Sequence, residues 1–385
     1  MKFSILLPTR NRLDLLRYAV ESVRLQDYLD WEVVISDNAS TEDVAGFAAS
    51  YADQRIRYYR TERELPVTEN WNAVLERSTG DYVIMLGDDD GLMRNCLTAA
   101  HKIIGQWHHP DVIYTQALQF AYPGAIPGHP RGFVQVAYND FLKGVERPLL
   151  LSRQTAWEMV RSAMSFRLRY GFNMQHFIFS RKLVETLRSK GPFFQSPYPD
   201  YYAANAIMLA AQTVVANPQP LIMIGISPKS FGYYYFNQRE SEGVDFLQNS
   251  SADRTHTHLR TAPVPGTNMN DSWLCAMETL SQNFPELPGL QVNYRRYRLL
   301  QYYALWRTRS WRGIPVILRH MRFWEMAIYI PVVFLYACAY MLPAEPRHKL
   351  QRALHGRFSA SPPIDAQRMT VPYRDILEAV RNHGS

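Results

Sequence analysis

The sequence predicts an α/β protein: a mainly parallel sheet with helices on both faces, followed by a C-terminal helical extension. Three observations predict it. Over the first 115 residues, short β-branched runs alternate with helical patterns at the spacing of βαβ units. Three of the predicted strands run directly into polar loops, which in such a sheet gather at one edge. The basic residues collect late in the chain, in a stretch of helical character: residues 291–385 hold 15 Lys and Arg against 5 Asp and Glu, a balance of +10, whereas residues 1–290 carry −3.

Taken in order, strands are expected at 3–8, 32–36, 56–60, 82–86 and 111–115, with helices at 12–26, 41–52, 69–78 and 92–107. Residues 116–151, rich in Pro, Gly and aromatics, read as an insertion. A helix at 153–166, a strand at 173–179, a helix at 200–212 and a strand at 221–226 follow. Between about 240 and 270 the pattern dissolves into Ser, Asn, Asp, Thr and Pro. The organisation is therefore an α/β unit over 1–240, a mobile loop or boundary over 241–270, and a helical, basic region over 271–385.

At 385 residues, 47% hydrophobic and 20% charged, the chain can bury a real core, which excludes wholesale disorder. Cys96, Cys275 and Cys338 are far apart and form no C-x-x-C pair, which argues against a disulfide framework or a zinc knuckle and for a reducing compartment. Pro8, Arg10 and Arg12 interrupt the first apolar run before a signal-peptide core can form, so a cytoplasmic protein is expected.

The strand-end loops carry the chemistry. Pro8-Thr9-Arg10-Asn11-Arg12 follows the first strand, Asp37-Asn38-Ala39-Ser40 the second, and Gly87-Asp88-Asp89-Asp90 the fourth. Three consecutive carboxylates repel one another unless a cation neutralises them, and hard oxygen ligands point to Mn²⁺ or Mg²⁺. A solvated acidic turn does not account for the run's place directly after the apolar strand Tyr82-Val83-Ile84-Met85-Leu86.

The order of these pieces is specific. Pro-Thr-x-Asn-Arg after strand one, Ser-Asp-Asn-Ala-Ser around the end of strand two, and Gly-Asp-Tyr leading into an acidic run resemble the family 2 glycosyltransferases of the GT-A fold. The resemblance covers roughly 1–240 and is strongest over the first 100 residues. It implies a nucleotide-sugar donor, UDP- or dTDP-linked, with the nucleoside on Pro8, Thr9, Arg10, Asn11, Asp37 and Asn38. Asp88, Asp89 and Asp90 would hold metal and donor. The family more often shows Leu-Asp-x-Asp-Asp, and Gly87 stands where its first carboxylate would be. That departure implies metal on Asp89, with Asp88 or Asp90 on the ribose or at a second metal position. Asn70, on the next helix, is expected to cap that helix or touch the donor.

Inverting transfer needs a group that takes the acceptor's proton. Asp200, in Ser196-Pro197-Tyr198-Pro199-Asp200, stands where the family places its catalytic acidic residue and is expected to be that base; the alternative for the bare residue is a helix N-cap. His176, His256 and His258 are further possible ligands, each more often structural. Lys229 could reach the diphosphate.

Residues 326–344 carry no charge and are flanked by arginines on both sides. Positive charge on both flanks disfavours a crossing and favours an in-plane or re-entrant segment, peripheral or monotopic on the inner face of the cell membrane, with 291–357 as the contacting region. The interleaved arginines and aromatics would also suit nucleic acid, but no such module is visible. The expected partners are thus a nucleotide-sugar donor, a glycan or lipid-linked acceptor and a membrane surface. The alternative is a catalytically degenerate nucleotide-sugar-binding or scaffold protein.

Overall fold

The computed structural model describes residues 1–126, 129–237, 259–260, 262–339 and 373–383. Its strands are β1 (Phe3–Thr9), β2 (Trp31–Asp37), β3 (Ile56–Arg60), β4 (Tyr82–Met85), β5 (Gly91–Leu92), β6 (Val112–Ala121), β7 (Phe133–Val136), β8 (Leu149–Leu150), β9 (Phe177–Ser180) and β10 (Val214–Ile226). The helices of the α/β part are α1 (Leu13–Arg24), α2 (Val44–Ser50), α3 (Val67–Arg77), α4 (Cys96–Gln106), α5 (Arg153–Met164), α6 (Arg181–Leu187), α7 (Pro199–Ala210) and α8 (Phe231–Phe236). Then come α9 (Asn268–Asn283), α10 (Tyr294–Arg307), α11 (Ile314–Arg319), α12 (Phe323–Ala339) and α13 (Ile376–His383).

One sheet runs β3-β2-β1-β4-β9-β6-β10-β5, with β7 on β6 and β8 on β10. Its long pairings, β3-β2-β1-β4 and β6-β10, are parallel. β1 and β2 are buried on both faces, which is why their sequences read as near-continuous apolar runs rather than alternating ones. The α/β class, the parallel half-sheet and the C-terminal helices all match the sequence expectation.

Three differences concern the second half. β9 enters antiparallel between β4 and β6, and the expected strand at 173–179 begins only at Phe177 because Met174–His176 closes a 3-10 turn. The stretch expected as an insertion instead extends β6 to Ala121 and returns through β7. The strand expected at 221–226 starts at Val214, with its register broken around Asn217 and Pro220, since proline cannot donate to the ladder.

Two cores flank the sheet. One joins Leu16, Val20 and Val23 of α1 and Leu97 and Ile104 of α4 to Ile5, Ile35 and Ile84. The other joins α3, α5, α6 and α7 to the opposite face and continues without a break into Trp273, Leu274, Met277, Tyr297 and Leu300 of α9 and α10. Trp273 fixes that junction by donating its indole N–H to the Ala163 carbonyl at 2.9 Å. Helix α13 returns to the first half, where Ile376, Ala379 and Val380 pack with Leu15, Met93 and Phe120. Among the described residues no helix is long and apolar enough to cross a membrane; residues 340–344 of the apolar run lie outside them.

Candidate active site

The carboxyl ends of β1, β4 and β10 meet at the loop Gly87–Asp90, and all three of its carboxylates are buried. They do not share partners. Asp88 accepts from the Thr9 hydroxyl at 2.8 Å and from the Arg12 guanidinium at 3.1 Å. Asp90 accepts from the Gly87 N–H at 2.7 Å, the Gln175 amide at 2.6 Å and the Gly225 N–H at 2.8 Å. Asp89 accepts from the Ser227 hydroxyl at 2.8 Å.

This partition decides their electrostatics. Burial and then the neighbouring charge of Asp88 push Asp89 up to about 6, against Arg12 and Ser227. Burial and Asp89 push Asp90 up as well, while three N–H donors favour its ionised form. Asp90 is therefore spent on holding the loop together. Asp89 is left with the Ser227 hydroxyl, its own backbone N–H and the nearby charge of Arg12, without the set of N–H donors that tie down Asp90.

Two glycines make the arrangement possible. A Cβ at Gly87 would lie 2.6 Å from Asp90 Oδ2, and one at Gly225 would lie 1.9 Å from the Asp89 carbonyl oxygen. The glycine at the first position of the acidic motif thus has a steric reason: the Asp90 carboxylate occupies the space that a side chain there would need.

Among the described residues, no group of three or more His, Cys, Asp or Glu side chains forms a metal cage. A Mg²⁺-type ion, however, is commonly held by one or two carboxylates with phosphate oxygens completing its shell. Asp89 with Asp88 beside it fits that requirement; Asp90, turned to three N–H donors, does not.

The expected nucleoside edge is held by side-chain hydrogen bonds. Pro8 pairs with Ser36 across β1 and β2. Asp37 accepts from Tyr58 and Arg60, both at 2.8 Å, and from the Ser40 N–H at 2.9 Å. Burial opposes its ionisation, yet these contacts hold its carboxyl below the usual range. Asn38 grips Leu65 twice, donating to its carbonyl at 2.8 Å and accepting from its N–H at 2.7 Å, which pins the segment after β3. Asn11, at φ 52°, accepts from the Thr41 N–H at 2.7 Å. Arg10 pairs with Glu64.

Asn70 requires a correction, because it does not cap α3. The helix starts at Val67 behind Pro66, so Asn70 lies within its first turns and its side chain accepts from the Ser36 hydroxyl at 2.6 Å. The proline, pre-set for a helix start, moves the boundary upstream.

Asp200 is not an N-cap either. Tyr198 holds that position and Pro199 opens α7, and the Asp200 carboxylate accepts from the adjacent Tyr201 N–H at 3.1 Å and from its own backbone N–H. Burial raises its carboxyl to about 7. The approach to it is fixed: Thr68 donates to the Ser196 carbonyl at 2.6 Å, and Asn72 forms a two-way bond with the Phe194 backbone at 2.9 and 3.0 Å. The turn that carries Gln175 packs against both β4 and α7 and so bridges Asp90 to the Asp200 helix.

His176 belongs to the core. Its Nδ1 bonds the Thr115 carbonyl at 2.9 Å, Gly171 lies against its ring, and burial lowers it to about 4. His256 and His258 lie outside the described residues. Lys229 reaches Asp14 at 2.8 Å, and its carbonyl accepts from Arg12. Sequence reasoning missed Gln175, Gly225 and Ser227 as supports of that loop. Two of them could have been found by the rule already used, since Gly225 and Ser227 also stand at a strand's carboxyl end.

Residues 4–145 match the model of glycosyl transferase family 2. The chain is 33% identical over 100 residues to a GalNAc(5)-diNAcBac-PP-undecaprenol beta-1,3-glucosyltransferase of Campylobacter jejuni, covering 25% of this chain and 32% of that one. It is 29% identical over 135 residues to a putative colanic acid biosynthesis glycosyl transferase, WcaA, of Escherichia coli, covering 33% and 48%. The chain thus spans less than half the length of either of these curated relatives. The crystal structure of S. aureus TarS 1–349 aligns over 82% of this chain and 90% of that one, with 18% identity and a TM-score of 0.48.

Proposed function

Residues 4–145 belong to glycosyl transferase family 2, and from that premise we propose that the chain is an inverting glycosyltransferase. It moves a sugar from a nucleotide donor, UDP- or dTDP-linked, to an acceptor hydroxyl. The observation that carries the reading is the half-buried carboxyl of Asp200 at the start of α7, which desolvation pushes up to about 7 and which the Gln175 turn ties to the strand-end acidic loop. A carboxylate of that basicity is suited to take a proton near neutral pH.

In this mechanism the acceptor hydroxyl gives its proton to the Asp200 carboxylate as its oxygen attacks the anomeric carbon. The bond from that carbon to the diphosphate breaks on the opposite face, and the nucleoside diphosphate leaves. Pro8, Thr9, Arg10, Asn11, Asp37 and Asn38 form the nucleoside edge, with Asn70 behind them supporting β2 through Ser36. Arg12 and Lys229 bring positive charge to the diphosphate side. Mn²⁺ or Mg²⁺, held by Asp89 with Asp88, would supply further stabilisation of the leaving diphosphate. Asp90 keeps the loop in register.

The Campylobacter relative's name describes an undecaprenyl-diphosphate-linked glycan and the Escherichia relative's a surface polysaccharide pathway. These support a lipid-linked or nascent surface glycan as acceptor. The test is nucleoside diphosphate release by the purified full chain across a panel of nucleotide sugars, with and without Mn²⁺, with the product's anomeric configuration read by NMR. Retention of configuration, or turnover unchanged in Asp200→Asn, overturns the reading.

A further inference from the structure

Helix α12 is inverted relative to an ordinary surface helix. Its inner face, Glu325, Tyr329 and Val333, is buried, and Glu325 anchors it to α10 through Arg298 at 3.0 Å. Its outer face should then be polar. Instead the outward positions are Phe323, Trp324, Ala327, Ile328, Pro331 and Phe334, recurring every three to four residues along one stripe. Phe323 is 83% exposed, Ile328 53% and Phe334 54%, values at which large apolar side chains in water are costly. Trp311 and Val316, just upstream, are exposed too, at 51% and 41%.

The charge around this stripe is one-sided. Residues 291–339 contain eight arginines and a single acidic residue, Glu325, which is already spent inside. Arg309, Arg312, Arg319 and Arg322 are exposed and lie on the segments that lead into α12. A second copy of the chain docked here would bring two such basic surfaces together, whereas an anionic bilayer offers both an apolar interior and compensating charge.

We propose that the outer face of α11 and α12 docks in the plane of an anionic phospholipid bilayer, with Phe323, Ile328 and Phe334 below the headgroups and Arg312, Arg319 and Arg322 on the lipid phosphates. The helix lies on the membrane rather than through it: its buried face is committed to α10, so it cannot leave the protein to span. This deepens the glycosyltransferase reading by placing the enzyme at the surface where a lipid-linked acceptor resides, yet the docking itself is independent of catalysis.

The experiment is vesicle co-sedimentation of the full chain, with phosphatidylcholine vesicles compared to vesicles containing about one-third phosphatidylglycerol. Binding to the anionic vesicles alone is expected, with a loss of at least about tenfold in Phe323→Ser/Ile328→Ser/Phe334→Ser and a comparable loss in Arg319→Glu/Arg322→Glu that mimics high salt. Leu149→Ser/Leu150→Ser, exposed apolar residues on the sheet edge, is expected to bind like the parent, and circular dichroism verifies folding of each variant. Equal sedimentation of parent and triple-Ser protein overturns the proposal. So does a lipid-free dimer, seen by analytical ultracentrifugation, that the triple-Ser variant abolishes. Activity on a water-soluble acceptor, unchanged in the triple-Ser variant, separates failure of docking from failure of the catalytic reading.

Discussion

The Asp90 carboxylate folds back over Gly87: Oδ2 accepts the Gly87 N–H at 2.7 Å, and a Cβ at that glycine would stand 2.6 Å from the same oxygen. Residue 87 is therefore bare because residue 90 fills its place. Gly87→Ala should displace the Asp90 carboxylate and, with it, Asp89. A folded protein with turnover reduced about a hundredfold or more is expected, since misplacing reacting groups by roughly an ångström costs that much. Gly87→Asp, which restores the commoner family motif, should be no better. Full activity in either variant would show that the loop does not depend on this contact.

Asp89 and Asp90 should separate by readout. Asp89→Asn leaves a hydrogen-bond partner for Ser227 but removes the carboxylate proposed to hold the metal, so turnover falls and the Mn²⁺ concentration for half-maximal activity rises. Asp90→Asn replaces an acceptor of three N–H groups by a group that cannot accept them all, so its thermal midpoint falls first. The comparison is one of activity against Mn²⁺ concentration, set beside melting curves.

Asp200→Asn should lose activity by at least about a hundredfold while gaining stability at alkaline pH. The sign follows from linkage. The folded carboxyl titrates near 7 and the unfolded one near 3.8, so the native state binds the extra proton between those values and stability declines as pH rises through that window. Above about 7 the half-buried charge is fully present, and the neutral amide removes its desolvation cost. A higher melting temperature for the variant at pH ~8, vanishing near pH ~4, is the expected pattern; parent activity should fall as pH drops below about 7.

Glu32 carries the opposite sign. Burial works against its charge, but the Ser4 hydroxyl, the Thr79 N–H, Lys2 and Arg57 hold it down to about 2. Its contribution to stability is present above about 4.5 and is lost as pH falls toward 2. Glu32→Gln should cost roughly 3 kcal/mol at neutral pH, measured by urea denaturation, with a much smaller difference near pH ~2.

Ile376→Ala tests how the chain's end supports the site. Ile376 is fully buried against α1 and β5, and β5 begins directly after Asp90. A loss of about 2–4 kcal/mol is expected, with faster amide exchange at Gly91 and Leu92. Unchanged exchange there would uncouple α13 from the acidic loop.

Much of this molecule was legible in the sequence because its signals are local. The strand–helix alternation of the first 115 residues, the polar loops at the strand ends and the helical, arginine-rich extension each follow from periodicity within a few turns or strands. The boundaries that moved did so for local reasons as well, Pro66 starting α3 early and Met174–His176 tightening before β9. Periodicity also gave the apolar run at 326–344, but not which side of it would be buried.

The division of labour within Asp88–Asp90 was beyond sequence reading. Three identical residues in a row carry no local distinction, and the groups that distinguish them lie far along the chain: Thr9 is 79 residues from Asp88, Gln175 is 85 from Asp90, and Ser227 is 138 from Asp89. By itself the sequence determined that an acidic cluster ends a buried parallel strand. Only the tertiary structure decided that Asp90 holds the loop, Asp88 pairs with Arg12 and Asp89 meets Ser227, because those roles depend on which donors packing brings to each carboxylate.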